Sequence, residues 1–423
     1  MKAIVSPGQV SGQLSAPPSK SYGQRALAAA LIKPGQTLIQ NLGNSADEQA
    51  ALRVLEQLGA EVKRTPAGLE VFSEGVRPVS GEINCGESGL CARLFLPIAA
   101  LSEKPVTITG SGTLLHRPMQ DILAVLPQLG VRVAGVSGSL PVTVQGPLQP
   151  KDVSMEGSLS SQFLSGLLFA AAAAAQQPVQ VRVNNLQSRG YAAMSVEVLQ
   201  AFGYQVTHQA DDVFVIHLAA ALPQRLTYVV PGDFSSAAAL MLAAALAGSL
   251  SLHQLQLNSL QPDAQFTRIL QDARALVVEE EHVLTVKKAA SLQAFSFDAT
   301  HAPDLFPVLA ILATQCKGKS SIKGLHRLLH KESNRAASIG AMLQQFGVPY
   351  EMKEDCLLVE GPCILKAATI DAFNDHRIVM AAAAGALVAK GPVTVSGAEA
   401  VRKSYPGFFE DMVSAGAQVA LYP

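Results

Sequence analysis

Hydrophobic and polar positions along the chain repeat with a period of about 70 residues. In each repeat, an apolar helix end is followed by a turn, usually with glycine, and then by alternating apolar and polar positions. The apolar position after the turn falls at Val62, Val133, Val206, Val277, Tyr350 and Val419. Glycine after a last helical turn is the usual left-handed cap, and alternation is typical of a half-buried strand. The pattern predicts six similar units.

A second element recurs with the same period. It is an alanine-rich helix with a polar start, followed by a β-branched strand, and the helices are predicted to begin near Ser21, Gly89, Ser161, Ser235, Asp304 and Asp375. These helices are apolar over most of their circumference, which indicates burial. With two helices and about four strands per unit, we predict an α/β protein of two similar lobes. Each lobe holds three βαβαββ-type units, with buried helices bundled inside a ring of short sheets.

The ends of the chain predict how the six units divide between the lobes. Counted from Pro17, the sixth unit is too short, and residues 1–16 would complete it. We therefore expect one lobe over 17–230 and the other over 1–16 plus 231–423. The chain passes from one lobe to the other at two points, and proline or glycine residues lie at both. We therefore predict hinges near 16–18 and 230–232.

Composition and charge exclude several classes of protein. The 423 residues are 49% hydrophobic and 15% charged, which is typical of a compact globule and not of a disordered chain. A formal charge of -1 without blocks of like charge argues against nucleic-acid or membrane-surface partners. Five scattered cysteines indicate neither a disulfide framework nor a zinc site. The longest apolar run is too short to span a bilayer, and we expect a cytoplasmic protein.

The starts of the buried helices are candidate anion sites, because helix N-termini present unpaired N–H groups and partial positive charge. Serine or aspartate at such a start is more often only an N-cap. Arg25, Arg93 and Arg377 are stronger candidates, since each lies in an apolar stretch where a charge needs a partner. Structural ion pairs are the alternative for these arginines. His376 fits a structural histidine as well as a catalytic one.

Ten short motifs, in order over nearly the whole chain, resemble one family. They read PPSKSYGQR, CGESGLCAR, HRPMQD, SSQFLSGLL, SRGY, GDFSSAA, DATHAPD, HKESNR, NDHR and KSYPGF. The family is that of the EPSP synthases (3-phosphoshikimate 1-carboxyvinyltransferases). The resemblance implies two lobes, each an inverted α/β barrel of three repeated units, in agreement with the repeat pattern. It also implies that the enolpyruvyl group of phosphoenolpyruvate is transferred to the 5-hydroxyl of shikimate-3-phosphate, within the shikimate pathway to chorismate and aromatic amino acids.

The resemblance further implies a set of binding residues. Those for shikimate-3-phosphate would be Lys20, Ser21, Arg25, Ser160, Ser161, Gln162, Ser188, Tyr191, Asp304 and Lys331. Those for phosphoenolpyruvate would be Lys20, Gly89, Arg117, Gln162, Arg335, Arg377 and Lys403. Both substrates carry phosphate and carboxylate groups, which suit forked contacts from arginine and point contacts from lysine.

The implied chemistry needs a proton donor and a base. By resemblance Glu332 would protonate the methylene carbon, with Lys20 as an alternative or additional donor, and Asp304 would accept the hydroxyl proton. The implied reaction needs no metal or organic cofactor. Glyphosate, known to occupy the phosphoenolpyruvate pocket in this family, is the expected inhibitor, and we expect a monomer.

The chain departs from the family pattern beside one predicted anion site. Glu87 and Leu90 replace an amide and a hydroxyl residue in the usual G-N-S/A-G-T motif, and we expect weaker phosphoenolpyruvate binding and an altered response to glyphosate. Two alternatives to this function stay open. One is a UDP-N-acetylglucosamine enolpyruvyl transferase, disfavoured because Ser21 follows Lys20 and residues 113–117 contain no cysteine. The other is a polyanion-binding protein without activity, disfavoured because both Asp304 and Glu332 are present.

Overall fold

The computed structural model describes residues 1–135, 138–218, 221–280, 283–329 and 331–423. His330, which opens the HKESNR motif, lies outside these residues. The strands are β1 Lys2–Val5, β2 Val10–Ser15, β3 Gly35–Gln40, β4 Glu61–Thr65, β5 Gly68–Ser73, β6 Glu82–Asn84, β7 Val106–Thr109, β8 Arg132–Gly135, β9 Val142–Gln145, β10 Val153–Glu156, β11 Val179–Asn184, β12 Val206–Gln209, β13 Val213–Ile216, β14 Arg225–Val229, β15 Gly248–His253, β16 Leu276–Glu280, β17 Val283–Lys287, β18 Leu292–Gln293, β19 Ser296–Asp298, β20 Cys316–Lys323, β21 Tyr350–Lys353, β22 Cys356–Gly361, β23 Thr369–Asp371, β24 Val393–Ser396 and β25 Val419–Tyr422.

The α-helices follow the same repeat. They are α1 Lys20–Ile32, α2 Ala46–Gln57, α3 Gly89–Ala99, α4 Gln120–Val125, α5 Ser161–Ala174, α6 Arg189–Ala201, α7 Phe234–Ala247, α8 Gln265–Asp272, α9 Phe306–Gln315, α10 Arg335–Gln345, α11 His376–Ala386 and α12 Phe408–Ser414. Short 3₁₀ turns include Gly112–His116, Pro262–Ala264, Pro303–Leu305 and Ala398–Lys403. The chain divides into two compact units, Pro18–Pro231 and Met1–Pro17 with Gly232–Pro423.

The unit Pro18–Pro231 contains three four-stranded sheets within its described residues. Their strand orders are β14-β3-β5-β4, β6-β7-β9-β8 and β10-β11-β13-β12. In each sheet the first two strands are parallel and the remaining pairs are antiparallel. A parallel pair needs a crossover, and α3 supplies it between β6 and β7 and α5 between β10 and β11. The pair β14–β3 instead joins the last and the first strands of the unit. The predicted α/β class and the βαβαββ repeat are confirmed.

The other unit repeats this plan with its own three sheets. Within its described residues the strand orders are β16-β17-β15-β2, β18-β20-β22-β21 and β23-β24-β1-β25, and β19 also pairs with β20. The expectation that residues 1–16 complete the sixth unit is right for β1, which lies between β24 and β25. It is wrong for β2, which pairs in parallel with β15 from Val10 opposite Gly248 to Ser15 opposite His253. The N-terminal segment thus supplies strands to the sixth and the fourth units.

Apolar helices form the core of each unit, as predicted. In one unit α1, α3 and α5 pack on one another, and in the other α7, α9 and α11 do the same. Close packing of α3 on α5 requires Gly166, because a Cβ atom there would lie 2.5 Å from the carbonyl oxygen of Arg93. The expected N-caps are present, since the side chains of Ser19, Ser88, Ser160, Asp233 and Asp375 accept backbone N–H groups of the first turns.

Candidate active site

Arg25 is a fully buried cation in α1 whose partners are neutral. Its Nε donates to Ser195 Oγ at 2.8 Å, Nη1 to the Ser21 carbonyl at 2.8 Å, and Nη2 to the Tyr191 carbonyl at 3.1 Å and Ser165 Oγ at 3.3 Å. Burial lowers its pKa to about 10, so it stays charged at neutral pH. Among the described residues no carboxylate forms an ion pair with it, contrary to the structural alternative. A buried charge held by neutral groups suits an anion site.

Arg25 also brings predicted shikimate-3-phosphate residues together. Its contacts connect Ser21 at the start of α1 to Tyr191 in the first turn of α6. The Tyr191 N–H donates to the carbonyl of Ser188 at 3.0 Å, and Ser188 has a left-handed φ of 55°. Ser161 opens α5 and is buried. The starts of three helices therefore supply these residues.

Lys20 is the first residue of α1 and forms an ion pair with Asp47. Lys20 Nζ lies 3.0 Å from Asp47 Oδ2, and both side chains are largely buried. Asp47 lies in the first turn of α2, where Ser45 and Glu48 form a reciprocal capping box. Sequence analysis did not assign Asp47 to the site. The pair holds the lysine ammonium close to the start of α1.

Gly89, Arg117 and Gln162, all predicted phosphoenolpyruvate residues, lie together. A Cβ atom on Gly89 would be 2.7 Å from Arg117 Nη1 and 3.9 Å from Gln162 Oε1. Gln162 Oε1 accepts from Arg93 Nη1 at 3.0 Å, and the Arg93 guanidinium lies 4.9 Å from the Phe163 ring centroid. Two guanidinium groups thus lie at the starts of α3 and α5. Sequence analysis named Arg93 as a candidate for an anion site but did not include it among the residues implied for either substrate.

In the other unit, buried Arg335 is the centre of a cluster of acids. Its Nε donates to Asp375 Oδ2 at 2.8 Å, Nη1 to Asp304 Oδ1 at 2.6 Å, and Nη2 to Glu332 Oε2 at 2.5 Å. Asp375 is buried as the N-cap of α11, whereas about a fifth of the Asp304 and Glu332 side chains is exposed. The two predicted catalytic acids are therefore joined through one arginine.

Two further cations contact Asp304. Lys331 Nζ lies 3.3 Å from Asp304 Oδ1, and Arg377 Nη2 lies 3.5 Å from Asp304 Oδ2. Arg377 Nη1 also donates to the carbonyl of Ser235 at 2.8 Å. This cluster brings five predicted residues together, namely Asp304, Lys331, Glu332, Arg335 and Arg377. Three cations thus face the carboxylates of Asp304, Glu332 and Asp375.

Two groups of the cluster, Asp304 and Lys331, both have a lowered pKa, but for different reasons. Burial alone would raise the pKa of Asp304, but Lys331, Arg377 and Arg335 hold it well below its usual value. Burial lowers the pKa of Lys331, and Asp304 opposes that shift. Asp304 is therefore ionised at neutral pH and can accept a proton or a hydrogen bond.

Lys403 contacts the loop before α11, and His376 is the first residue of that helix. Lys403 Nζ donates to the carbonyl of Asn374 at 2.8 Å, and Asn374 has a left-handed φ of 56°. His376 is buried, with Nδ1 4.0 Å from Asp375 Oδ1. Burial at the start of a core helix favours the structural alternative for His376. Lys403, a predicted phosphoenolpyruvate residue, thus contacts the NDHR motif that contains Arg377.

The described part of the chain shows neither a metal centre nor a membrane span. No group of three or more histidine, cysteine, aspartate or glutamate residues within it is arranged to hold a metal ion. No helix within the same residues is both long and apolar enough to cross a bilayer.

Comparisons with known proteins match nearly the whole chain. The profile of the family described as EPSP synthase (3-phosphoshikimate 1-carboxyvinyltransferase) matches residues 4–412. The 3-phosphoshikimate 1-carboxyvinyltransferase of Methanocorpusculum labreanum is 35% identical over 422 residues, with 99% of each chain covered. That of Aeropyrum pernix is 33% identical over 418 residues, with 99% of this chain and 96% of the relative covered.

Solved structures give the same result for the fold. EPSP synthase from Acinetobacter baumannii matches with a TM-score of 0.84 at 25% identity, covering 99% of this chain and all of that chain. The enolpyruvyl transferase NikO from Streptomyces tendae has a TM-score of 0.80 at 17% identity, covering 99% of this chain and 98% of that one. The second match shows a shared fold only.

Proposed function

This chain belongs to the EPSP synthase (3-phosphoshikimate 1-carboxyvinyltransferase) family, and from that premise we propose which of its residues carry the reaction. The reaction transfers the enolpyruvyl group of phosphoenolpyruvate to the 5-hydroxyl of shikimate-3-phosphate and releases phosphate. It belongs to the shikimate pathway of aromatic amino-acid biosynthesis. The observation that carries the assignment is the pair of acids, Asp304 and Glu332, held on the buried guanidinium of Arg335.

Shikimate-3-phosphate binds mainly to residues of the unit Pro18–Pro231 in this proposal. The group is Lys20, Ser21, Arg25, Ser160, Ser161, Gln162, Ser188 and Tyr191, with Asp304 and Lys331 from the other unit. Support comes from Arg25, whose buried charge is surrounded by hydroxyl and carbonyl groups. Because no acid in the described residues neutralises it, a substrate carboxylate or phosphate gains its full attraction.

Phosphoenolpyruvate binds to arginines and lysines from several helix starts in this proposal. The group is Lys20, Gly89, Arg117, Gln162, Arg335, Arg377 and Lys403. The contact of Gly89 with Arg117 supports it, since only glycine leaves room for the guanidinium there. Forked contacts from arginine fit both the phosphate and the carboxylate of this substrate.

Glu332 and Asp304 divide the proton transfers. Glu332, with Lys20 as the alternative donor, protonates the methylene carbon, so that the neighbouring carbon becomes cationic and bonds to the 5-hydroxyl oxygen. Asp304 accepts the hydroxyl proton, consistent with its lowered pKa. The methyl carbon of the tetrahedral intermediate then returns a proton to the donor. The C–O bond to phosphate breaks, the double bond reforms, and phosphate leaves.

Phosphate release tests the function directly. Purified protein should release phosphate from phosphoenolpyruvate when shikimate-3-phosphate is added, and neither shikimate nor UDP-N-acetylglucosamine should replace it. Release with UDP-N-acetylglucosamine would favour the related transferase. Absence of release with all three acceptors would favour a binding protein without activity.

Glyphosate is proposed as an inhibitor that competes with phosphoenolpyruvate for the cations near Gly89.

Substitution of Gly89 tests the phosphoenolpyruvate site. A methyl group at Gly89 would meet Arg117 Nη1 at 2.7 Å. Overpacking of this kind costs about 1–3 kcal/mol, so we expect Gly89→Ala to raise KM for phosphoenolpyruvate about tenfold. KM for shikimate-3-phosphate, measured in the same assays, should change little. An unchanged KM for phosphoenolpyruvate would remove Gly89 and Arg117 from the assignment.

We further propose a cytoplasmic monomer that closes about 16–18 and 230–232 when anions bind. Small-angle scattering gives both the molecular mass and the radius of gyration. The expected result is the mass of one 44.3-kDa chain and a smaller radius after shikimate-3-phosphate is added. A dimer mass would contradict the first part, and an unchanged radius the second.

A further inference from the structure

Ser188, a proposed shikimate-3-phosphate residue, lies at the start of α6 in an uncommon backbone conformation. Its φ of 55° and ψ of 46° are left-handed, whereas the residue that caps a helix start is normally extended. Its side chain accepts no N–H group from the described first turn of α6, unlike that of Ser160 at the start of α5. A left-handed serine is strained and persists only where surrounding contacts hold it.

An ion pair ties the start of α6 to the turn before β13. Arg189, the first residue of α6, directly follows Ser188, and its Nη2 lies 2.5 Å from Asp212 Oδ2. Asp212 ends the turn Ala210–Asp212, which joins β12 to β13. The Asp212 side chain is 12% exposed, whereas that of Arg189 is 59% exposed. The carboxylate is therefore held by the fold, and the longer arginine side chain reaches to it.

The turn and a neighbouring histidine fix the direction of the Asp212 carboxylate. Its other oxygen, Oδ1, lies 3.3 Å from His208 Nε2, and the His208 ring stacks on Phe214 with ring centroids 4.3 Å apart and planes 2° from parallel. Asp211 and Asp212 are both left-handed, with φ values of 57° and 52°. Aspartate visits this conformation more readily than most residues, but usually singly. Local strain of this kind is typical of sites where a side chain is held for a function.

The sheet β10-β11-β13-β12 brings this turn and the start of α6 to the same end. Strands β11 and β13 are antiparallel, with Arg182 opposite Val213. The residues just before Val213 therefore lie beside the end of β11, from which the loop 185–188 leads to α6. The Gln187 N–H donates to the Gly157 carbonyl at 3.1 Å, so this loop also contacts the segment that leads to α5. A change at the turn can thus reach the loop that carries the substrate residues.

We propose that Asp212 is a positioning residue for shikimate-3-phosphate, which holds Ser188 in its binding conformation through the ion pair with Arg189. This inference rests on the proposed function and adds to it a residue outside the family motifs. Asp212 itself does not touch the substrate. The Tyr191 N–H donates to the Ser188 carbonyl at 3.0 Å, and the Tyr191 carbonyl accepts from Arg25 at 3.1 Å. A displaced Ser188 therefore also disturbs two further residues proposed to bind this substrate.

Two other roles of the ion pair give different results. A pair that only stabilises the fold would leave the affinity for shikimate-3-phosphate unchanged when it is broken. If instead Arg189 contacted the substrate phosphate directly, loss of Asp212 would release the guanidinium for that contact, and the affinity would rise. Weaker binding after loss of either partner is expected only if the pair acts on Ser188.

The test is a double-mutant cycle on Asp212→Asn, Arg189→Gln and the variant with both changes, in which calorimetry measures Kd for shikimate-3-phosphate. Asparagine tolerates the left-handed backbone as aspartate does, so Asp212→Asn removes the charge and keeps the turn. Each single variant should bind about fivefold more weakly, the upper end for a partly exposed ion pair. The double variant should lose about the same fivefold, because either change breaks the same contact. Steady-state kinetics should show a raised KM for shikimate-3-phosphate, with little change in kcat or in KM for phosphoenolpyruvate.

Asp211→Asn is the matched control, since this neighbouring acid has the same left-handed backbone and is exposed. It should bind shikimate-3-phosphate as the unsubstituted protein does. Unchanged or tighter binding by Asp212→Asn would overturn the inference, and so would losses that multiply in the double variant or an equal rise of both KM values. If the unsubstituted protein released no phosphate with both substrates present, the proposed function would fail instead, which distinguishes the two failures.

Discussion

Asp304→Ala and Glu332→Ala are each expected to reduce turnover by at least about a hundredfold, the usual contribution of one general acid or base. Shikimate-3-phosphate should still bind measurably, because most of the residues proposed to hold it, Arg25 and those of α5 and α6 among them, lie in the unit Pro18–Pro231. Asp304→Asn and Glu332→Gln keep the shape of the side chains and remove the charge. If the alanine variants are slow because proton transfer is lost, Asp304→Asn and Glu332→Gln should be equally slow.

Single-turnover phosphate release measures the chemical step, and calorimetry measures binding of shikimate-3-phosphate. Glu351→Gln is a suitable control, since this acid is about half exposed on β21 and pairs with surface Lys319 at 3.8 Å. Near-normal turnover in either active-site variant would remove that acid from the mechanism. Loss of binding together with turnover would instead indicate that the acid is needed to form the site.

Arg335→Ala is expected to have the largest effect on stability. Arg335 is completely buried and satisfies three carboxylates, so its removal leaves charges without their partner. Breaking a buried pair in this way costs about 3–5 kcal/mol. Arg335→Lys keeps the charge but not the forked contacts, so it should recover only part of the loss. Urea unfolding, followed for both units, measures how far the free energy of unfolding of each variant lies below that of the unsubstituted protein.

The pH dependence of that difference has a defined sign. The lowered pKa of Asp304 means that its pairing stabilises the fold above its unfolded pKa of about 3.9, and that this stability is lost as pH falls through the folded value. Arg335→Ala should therefore differ most from the unsubstituted protein at neutral pH and least below about pH 4. Arg268→Ala, an exposed arginine on α8, should unfold with the unsubstituted protein at every pH. A difference independent of pH would argue for lost packing as its cause.

The repeat could be predicted from the sequence because each unit has its own local signals. Apolar helices after polar caps and glycine turns before strands need no partner from elsewhere to be recognised. The assignment of β2 failed because a length argument cannot say which of two units a strand joins. The sequence of Val10–Ser15 is compatible with a strand in the fourth or in the sixth unit. Its pairing with Gly248–His253 shows that it belongs to the fourth.

The candidate residues could be found from motifs, but their partners could not. Arg25 and Arg335 are both buried arginines, yet one has neutral acceptors and the other has three acids. The partners of Arg25 include Ser165 and Ser195, which are far away in the sequence. Burial alone therefore could not decide between an anion site and a structural ion pair.

The pairing of β1 and β2 has a consequence for synthesis on the ribosome. All strands of Pro18–Pro231 have been made once β14 emerges, so that unit can complete its sheets early. In contrast, Lys2–Val5 must wait for Val393–Ser396 and Val419–Tyr422. At about 5–20 residues per second, that wait is on the order of 20–80 s. Throughout it the nascent chain carries an apolar N-terminal strand whose two pairing partners have not yet been made.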